Sequence, residues 1–184
     1  MIQWILFAVS SLLLAVISWK SLHNRHSHGY HRFFAWEAIL GLIVINAPIW
    51  FHDPFSWNQI ISWILLVASL FPLVLGVNSL RSVGRPDPNV RSDPELLGIE
   101  RTTNLVRIGI YKYIRHPSYL GQLLIILGSG IAFSNYVSIV ILFIPFFLAV
   151  LYRISIEETV LMDYFTDAYL EYKKKTKLLI PWVY

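Results

Sequence analysis

Leu105–Gly121, LVRIGIYKYIRHPSYLG, stands between a charged segment of about 40 residues and the last apolar hairpin of the chain. Its seventeen positions hold three basic residues, one histidine, one proline, three tyrosines and two glycines. Arg115-His116-Pro117 falls where polar sequence gives way to Tyr119-Leu120-Gly121 and an apolar run. A proline there is suited to open a helix, because the N–H it lacks has no intrahelical partner at that position. Arg115 and His116 are then expected at a helix N-terminus, whose partial positive charge and free N–H groups suit an anionic ligand. The alternative is that both anchor a helix among lipid headgroups, a common use of long basic side chains at a membrane boundary.

Working outward, 56% of the 184 residues are hydrophobic and only 14% are charged. A soluble domain carries about a quarter charged residues. The deficit is concentrated in five apolar runs, near 2–19, 33–51, 57–77, 119–133 and 137–152. The first three approach the roughly 20 residues that span a bilayer. The last two are shorter and read as a hairpin that either crosses with little tilt or turns back. The fold class expected is an all-α integral membrane protein of about five transmembrane helices. Within one overall domain, residues 1–77 read as a three-helix membrane region, 78–118 as a cytosolic loop and 119–184 as a helical hairpin with a cytosolic tail. With no cysteine, disulfides, thiolate metal sites and thiol nucleophiles are excluded.

The net charge of +4 reports topology rather than a nucleic-acid partner. With five spans and the N-terminus outside, the inner segments 20–32, 78–118 and 153–184 hold all fifteen Lys and Arg residues, and the outer ones hold only Asp53. This is the positive-inside distribution. The first run lacks a basic leader and a small-residue cleavage site, so a retained helix is expected rather than a signal peptide.

Four histidines lie between His23 and His31 without Asp, Glu or Cys among them, so a polar loop at the headgroups is expected and no metal site. Glu37 lies in an apolar run, but within about a turn of Arg32, and is read as structural. Trp50, Trp57 and Trp63 suit interfacial anchoring. Residues 78–104 are rich in Pro, Gly, Asp and Asn, a long polar loop expected over the active site. Gly121, Gly128 and Gly130 fall on one arm of the hairpin, where glycine permits close helix packing or the approach of a flat cofactor. Arg153 and Glu157 share a helix face four residues apart, with Glu158 about 100° further round. Beyond them Tyr164, Phe165, Tyr169, Tyr172 and Lys173–Lys175 read as an amphipathic helix on an anionic leaflet.

GIYKYIRHPSYLG, the hairpin after it, Glu157-Glu158 and Leu179-Ile180-Pro181-Trp182 together resemble the isoprenylcysteine carboxyl methyltransferase family, itself similar to the phospholipid methyltransferases. The likeness covers about Leu105–Tyr184, the expected methyltransferase core. One departure is Arg107-Ile108 before Gly109, where the family usually reads LVTxG. The resemblance implies S-adenosylmethionine as cofactor, held by Arg115, His116, Tyr119, Gly121, Gly128, Gly130, Glu157 and Glu158. It further implies catalytic roles for Arg153, Glu158 and His116, with Arg153 orienting an anionic acceptor or holding Glu157, and Glu158 or His116 assisting where the acceptor needs deprotonation. The acceptor it implies is lipophilic, an isoprenylcysteine-type carboxylate or a related lipid or thiol, reaching a cytosolic site from the bilayer. No GxGxxG follows a strand, so a dinucleotide fold is excluded. Membrane sterol reductases, with a similar HPxY half and a nicotinamide cofactor, and a non-catalytic lipid-binding or transport protein are the rival readings.

Overall fold

The structure, a computed structural model, describes residues 2–25, 28–48, 52–87, 89–93, 96, 98–132 and 136–181. The seven α-helices among them are α1 (Ile2–Ile17), α2 (Trp19–Leu22), α3 (His28–Asn46), α4 (Trp57–Ser79), α5 (Pro117–Ala132), α6 (Tyr136–Phe165) and α7 (Asp167–Lys175). A π-helical turn, Leu80–Gly84, continues α4, and a 3-10 turn, Gly109–Lys112, precedes α5. Among the described residues β-pairing is limited to two isolated bridges.

Each of the five apolar runs holds a helix among its described residues, but five spans are not confirmed. Among the described residues one helix, Trp57–Gly84, is long and apolar enough to cross a bilayer. α1 and α5 have 16 residues each, about 24 Å at 1.5 Å per residue against a hydrocarbon core of about 30 Å. α3 carries Arg32 and Glu37, and α6 turns polar from Arg153 onward. The apolar surface nonetheless faces outward. α1 buries none of its residues, and Ile64 and Phe71 of α4 are 61% and 66% exposed. Exposed apolar surface on this scale suits lipid rather than water.

The chain divides into two compact units interleaved in sequence, Met1–Val67 with Leu123–Phe147, and Ala68–Gln122 with Leu148–Tyr184. Their boundaries lie inside α4, α5 and α6 and do not coincide with 77/78 or 118/119. In the first unit α1 packs on α3, and Ile39 and Ile126 are buried with Ile125, Phe143 and Phe146 against them. Ser11 donates to Glu37 Oε2 at 2.7 Å, so this acid joins two helices, which agrees with its structural reading. His26 and Trp50 lie outside the described residues.

The second unit holds Arg115-His116. Its core is Leu80, Val106 and Tyr111, with Val83, Ile99 and Ile110 packed against them. The polar segment 85–104 is a strap tied down at both ends. Gly84 O accepts from the Thr103 and Asn104 amides at 3.0 and 3.1 Å, and Pro86 bridges Thr102. Midway, the Arg91 guanidinium lies 4.0 Å over the Tyr164 ring, donates to Asp93 at 2.8 Å and to Thr102 O at 3.0 Å, and is 2% exposed. Gly109 takes φ +59°, a left-handed turn that glycine enters without strain and that redirects the chain into the 3-10 turn. Pro117 is the first residue of α5, as the sequence predicts, leaving Arg115 and His116 just before the helix.

The two glycines at the α4–α5 contacts set helix spacing. A Cβ on Gly121 meets Leu73 Cγ at 2.5 Å and the Ser69 carbonyl at 3.0 Å in the second unit. A Cβ on Gly128 meets Leu65 Cβ at 3.1 Å and Ser62 O at 3.2 Å in the first. Gly121→Val is therefore expected to destabilise by about 1–3 kcal/mol, the usual range for overpacking. Gly98→Ala, at a position with nothing within 4 Å, is expected to unfold with the wild type. Thermal unfolding in detergent checks both.

Candidate active site

Residues 113–116 reach the site as a short extended segment paired with the tail. The amides of Arg115 and His116 donate to Lys177 O at 2.9 Å and Leu178 O at 3.2 Å, and the Lys177 amide donates to Tyr113 O at 3.0 Å. Trp182, at the end of the tail motif, lies outside the described residues. The pairing aims two adjacent side chains at Glu157 and Glu158 of α6.

Arg115 Nε donates to Glu158 Oε1 at 2.6 Å, while its Nη1 donates to Thr176 O at 2.6 Å and Lys173 O at 3.2 Å, the terminal carbonyls of α7. Lys173 Nζ sits 2.5 Å from Glu158 Oε2. His116 stands between the acids, Nδ1 3.6 Å from Glu157 Oε2 and Nε2 3.5 Å from Glu158 Oε1. Tyr119, on the first turn of α5, donates its hydroxyl to Glu157 Oε1, which also receives Arg153 Nη2 at 3.4 Å. Arg153, Glu157, Glu158 and His116 are all at most 7% exposed.

Beside this network opens a cleft whose lining includes His116, Tyr119 and Glu157. Of the residues expected from sequence, Arg115, His116, Tyr119 and Glu157 line it. Arg153 stands behind Glu157, and Glu158 points into the Arg115–Lys173 knot. Gly121 is engaged at the α4 contact, and Gly128 and Gly130 are buried in the first unit. None of the three glycines lines the cleft.

Sequence reasoning missed other lining residues, Glu100 and Thr102 of the strap with Tyr111, Tyr169 and Tyr172. Tyr169 and Tyr172, read from sequence as facing lipid, are 1% and 5% exposed. They lie three residues apart on α7, a spacing that puts both on one face. Tyr172 donates to Tyr111 O at 2.7 Å. Burial, then the charge of Glu100, pushes the Tyr111 phenol up, and burial followed by the nearby Glu158 pushes Tyr169 up. These hydroxyls keep their protons at any working pH and serve as donors.

Burial by itself would raise Glu158, but donors from His116, Lys173 and Arg115 outweigh it and hold the carboxyl at about 2. A carboxylate so weakly basic does not fit the proton-accepting role expected of it. Its charge instead holds the tail. The folded-state value lies below the ordinary 4.5, so the knot's stabilisation is fully present above that pH and is lost as pH falls toward 2. In acid titrations followed by circular dichroism, Glu158→Gln is expected to lower stability at neutral pH and to flatten the loss between about pH 4.5 and 2.

Comparison with known proteins converges on this half of the chain. Residues 95–163 match the model of the isoprenylcysteine carboxyl methyltransferase (ICMT) family. The protein-S-isoprenylcysteine O-methyltransferase of Schizosaccharomyces pombe is 39% identical over 77 residues, 42% of this chain and 33% of that protein. Its namesake in Saccharomyces cerevisiae is 37% identical over 79 residues, 43% and 33% of the two chains. Methanethiol S-methyltransferase 1 of Bradyrhizobium diazoefficiens is 29% identical over 105 residues, 48% of this chain and 34% of that protein. The matches span about a third of the length of these relatives. Over residues 95–163, which carry Arg115-His116-Pro117 and Glu157-Glu158, the resemblance to the isoprenylcysteine carboxyl methyltransferase family therefore holds.

Proposed function

We propose that this protein is a membrane methyltransferase that uses S-adenosylmethionine to methylate the carboxylate of a lipophilic, isoprenylcysteine-type acceptor. One observation carries the reading: His116, Tyr119 and Glu157 meet on the wall of one cleft, within the segment that matches the family. The relatives reported above are all methyltransferases, which sets aside the nicotinamide-dependent reductase and the non-catalytic lipid-binding protein. The concentration of Lys and Arg in alternate segments supports an outside N-terminus, with the cleft and the C-terminus cytosolic.

The residues present fit the cofactor. Glu157 and Glu100 offer carboxylates for an ammonium group and ribose hydroxyls, and the Tyr169 hydroxyl is buried on the same cleft without a partner. When bound, S-adenosylmethionine supplies a methyl group activated on a cationic sulfur. His116, Tyr119 and Glu157 would hold it, and the remaining chemistry falls to positioning.

Arg153 and Tyr119 converge on Glu157 Oε1 and fix the orientation of that carboxylate. An acceptor carboxylate is ionised at neutral pH and attacks without a general base, which accords with a site in which Glu158 has lost its basicity. The tyrosines and the strap exclude water, so the acceptor oxygen competes only with groups the cleft admits. A thiol acceptor, as named for the Bradyrhizobium relative, must first lose its proton, and His116 is the group on the cleft wall suited to take it.

Titration calorimetry of the purified protein in detergent is expected to give S-adenosylmethionine binding that Glu157→Gln weakens by at least about tenfold, the scale of one hydrogen bond to a charged group. Transfer of labelled methyl to a farnesylcysteine analogue is expected to exceed transfer to methanethiol. Binding of NADPH in place of S-adenosylmethionine would refute the reading.

A further inference from the structure

Tyr169 reaches the cleft from α7, beyond the segment that the family model matches. Among the described residues it is one of the most completely buried large side chains, 1% exposed, and its hydroxyl has no hydrogen-bond partner there. A buried hydroxyl left unpaired costs about 1–3 kcal/mol, and such groups are uncommon enough that each calls for an explanation. Its neighbour Tyr172 on the same face is paired to Tyr111 O, so the unpaired state belongs to Tyr169 and not to the helix face as a whole.

Arg115 sharpens the point. It is the cation expected from sequence to take the carboxylate of the cofactor, yet its Nε and Nη1 are spent on Glu158 and on the terminal carbonyls of α7. The guanidinium still lends its charge to the cleft it lines, but the donors that face Glu158 and α7 are no longer open to a ligand. A zwitterionic amino-acid group needs a donor for its carboxylate near positive charge. Tyr169 lines the same cleft as Arg115, and after burial its hydroxyl is acted on first by the charge of Glu158 and then by the opposing charge of Arg115.

We propose that the Tyr169 hydroxyl, buried on the cleft that Arg115 also lines, is the donor that binds the carboxylate of the amino-acid moiety of S-adenosylmethionine. This rests on the cofactor assignment made above. Burial keeps the phenol protonated, so the donor is present across the whole working pH range. Sequence alone places Tyr169 among lipid-facing aromatics, so its burial on the cleft is what brings it into the site.

The test is Tyr169→Phe, which removes one oxygen and leaves the ring in place. The unliganded variant is expected to melt at or above the wild-type temperature, because an unpaired buried hydroxyl has been removed. Its affinity for S-adenosylmethionine by titration calorimetry is expected to fall about tenfold, the scale of a hydrogen bond to a charged group. Its thermal shift at fixed ligand is expected to shrink in step. Decarboxylated S-adenosylmethionine closes the cycle: it is expected to bind wild type and Tyr169→Phe equally, both weakly. Wild type that binds neither compound would refute the cofactor assignment itself. Wild type that binds while Tyr169→Phe binds S-adenosylmethionine equally well would overturn only the role of Tyr169. Equal weakening of both compounds by Tyr169→Phe would overturn the carboxylate as its target.

Discussion

The second unit is tied together by one ion cluster around Glu158, in which Arg115 is largely buried and Lys173 closes the solvent side. Four pieces of chain meet there: the extended segment before α5, the middle of α6, the last turn of α7 and the tail after it. Arg115 caps the terminal carbonyls of α7, where a cation is favoured by the helix dipole as well as by direct hydrogen bonds. Through the same side chain it neutralises Glu158, and its backbone amide pairs with Lys177. Few other residues in the chain tie as many elements together.

Taking these charges out of water costs several kcal/mol per ion, and their mutual attraction does no more than offset this where the geometry is good. The cluster is therefore weak evidence for stability. Its value is in specifying an arrangement, because an apolar substitute would leave α7 free to slide along α6. With α7 fixed in register, Tyr169 and Tyr172 face inward and close one side of the cleft. The strap closes another side in a similar way. Arg91, stacked on Tyr164 and tied to Thr102 O, sets Glu100 and Thr102 against the cleft.

Much of this was legible in the sequence where chemistry is local. Pro117 opening a helix, the helical apolar runs, and Arg153 and Glu157 on one face follow from spacing and from residue type. That His116 stands beside the two acids is non-local, and only the family resemblance suggested it. Three things were not legible, each for a physical reason. Hydropathy marks helices that avoid water, but whether a 16-residue helix crosses a bilayer depends on tilt and neighbours, which sequence does not carry. The aromatics of α7 look the same whether they meet lipid or a protein wall, and their inward turn is imposed by Arg115 and Lys173 at the far end of the helix. The glycines of α5 suit close approach of either a cofactor or a helix, and Gly121 and Gly128 meet α4.

The division of labour between the two acids is the last step. Glu157 and Glu158 are adjacent in sequence, but about 100° of helix rotation separates their side chains. One turn of α6 thus presents Glu157 to the cleft and Glu158 to the knot. Cations surround Glu158 on both oxygens, so its charge is consumed in holding the tail. Glu157 instead receives a phenol and one guanidinium nitrogen on a single oxygen, which leaves its other oxygen facing His116. Under the function proposed above, Glu157 is the acid offered to the ligand, and Glu158 is the one that holds the tail against which the cleft is built.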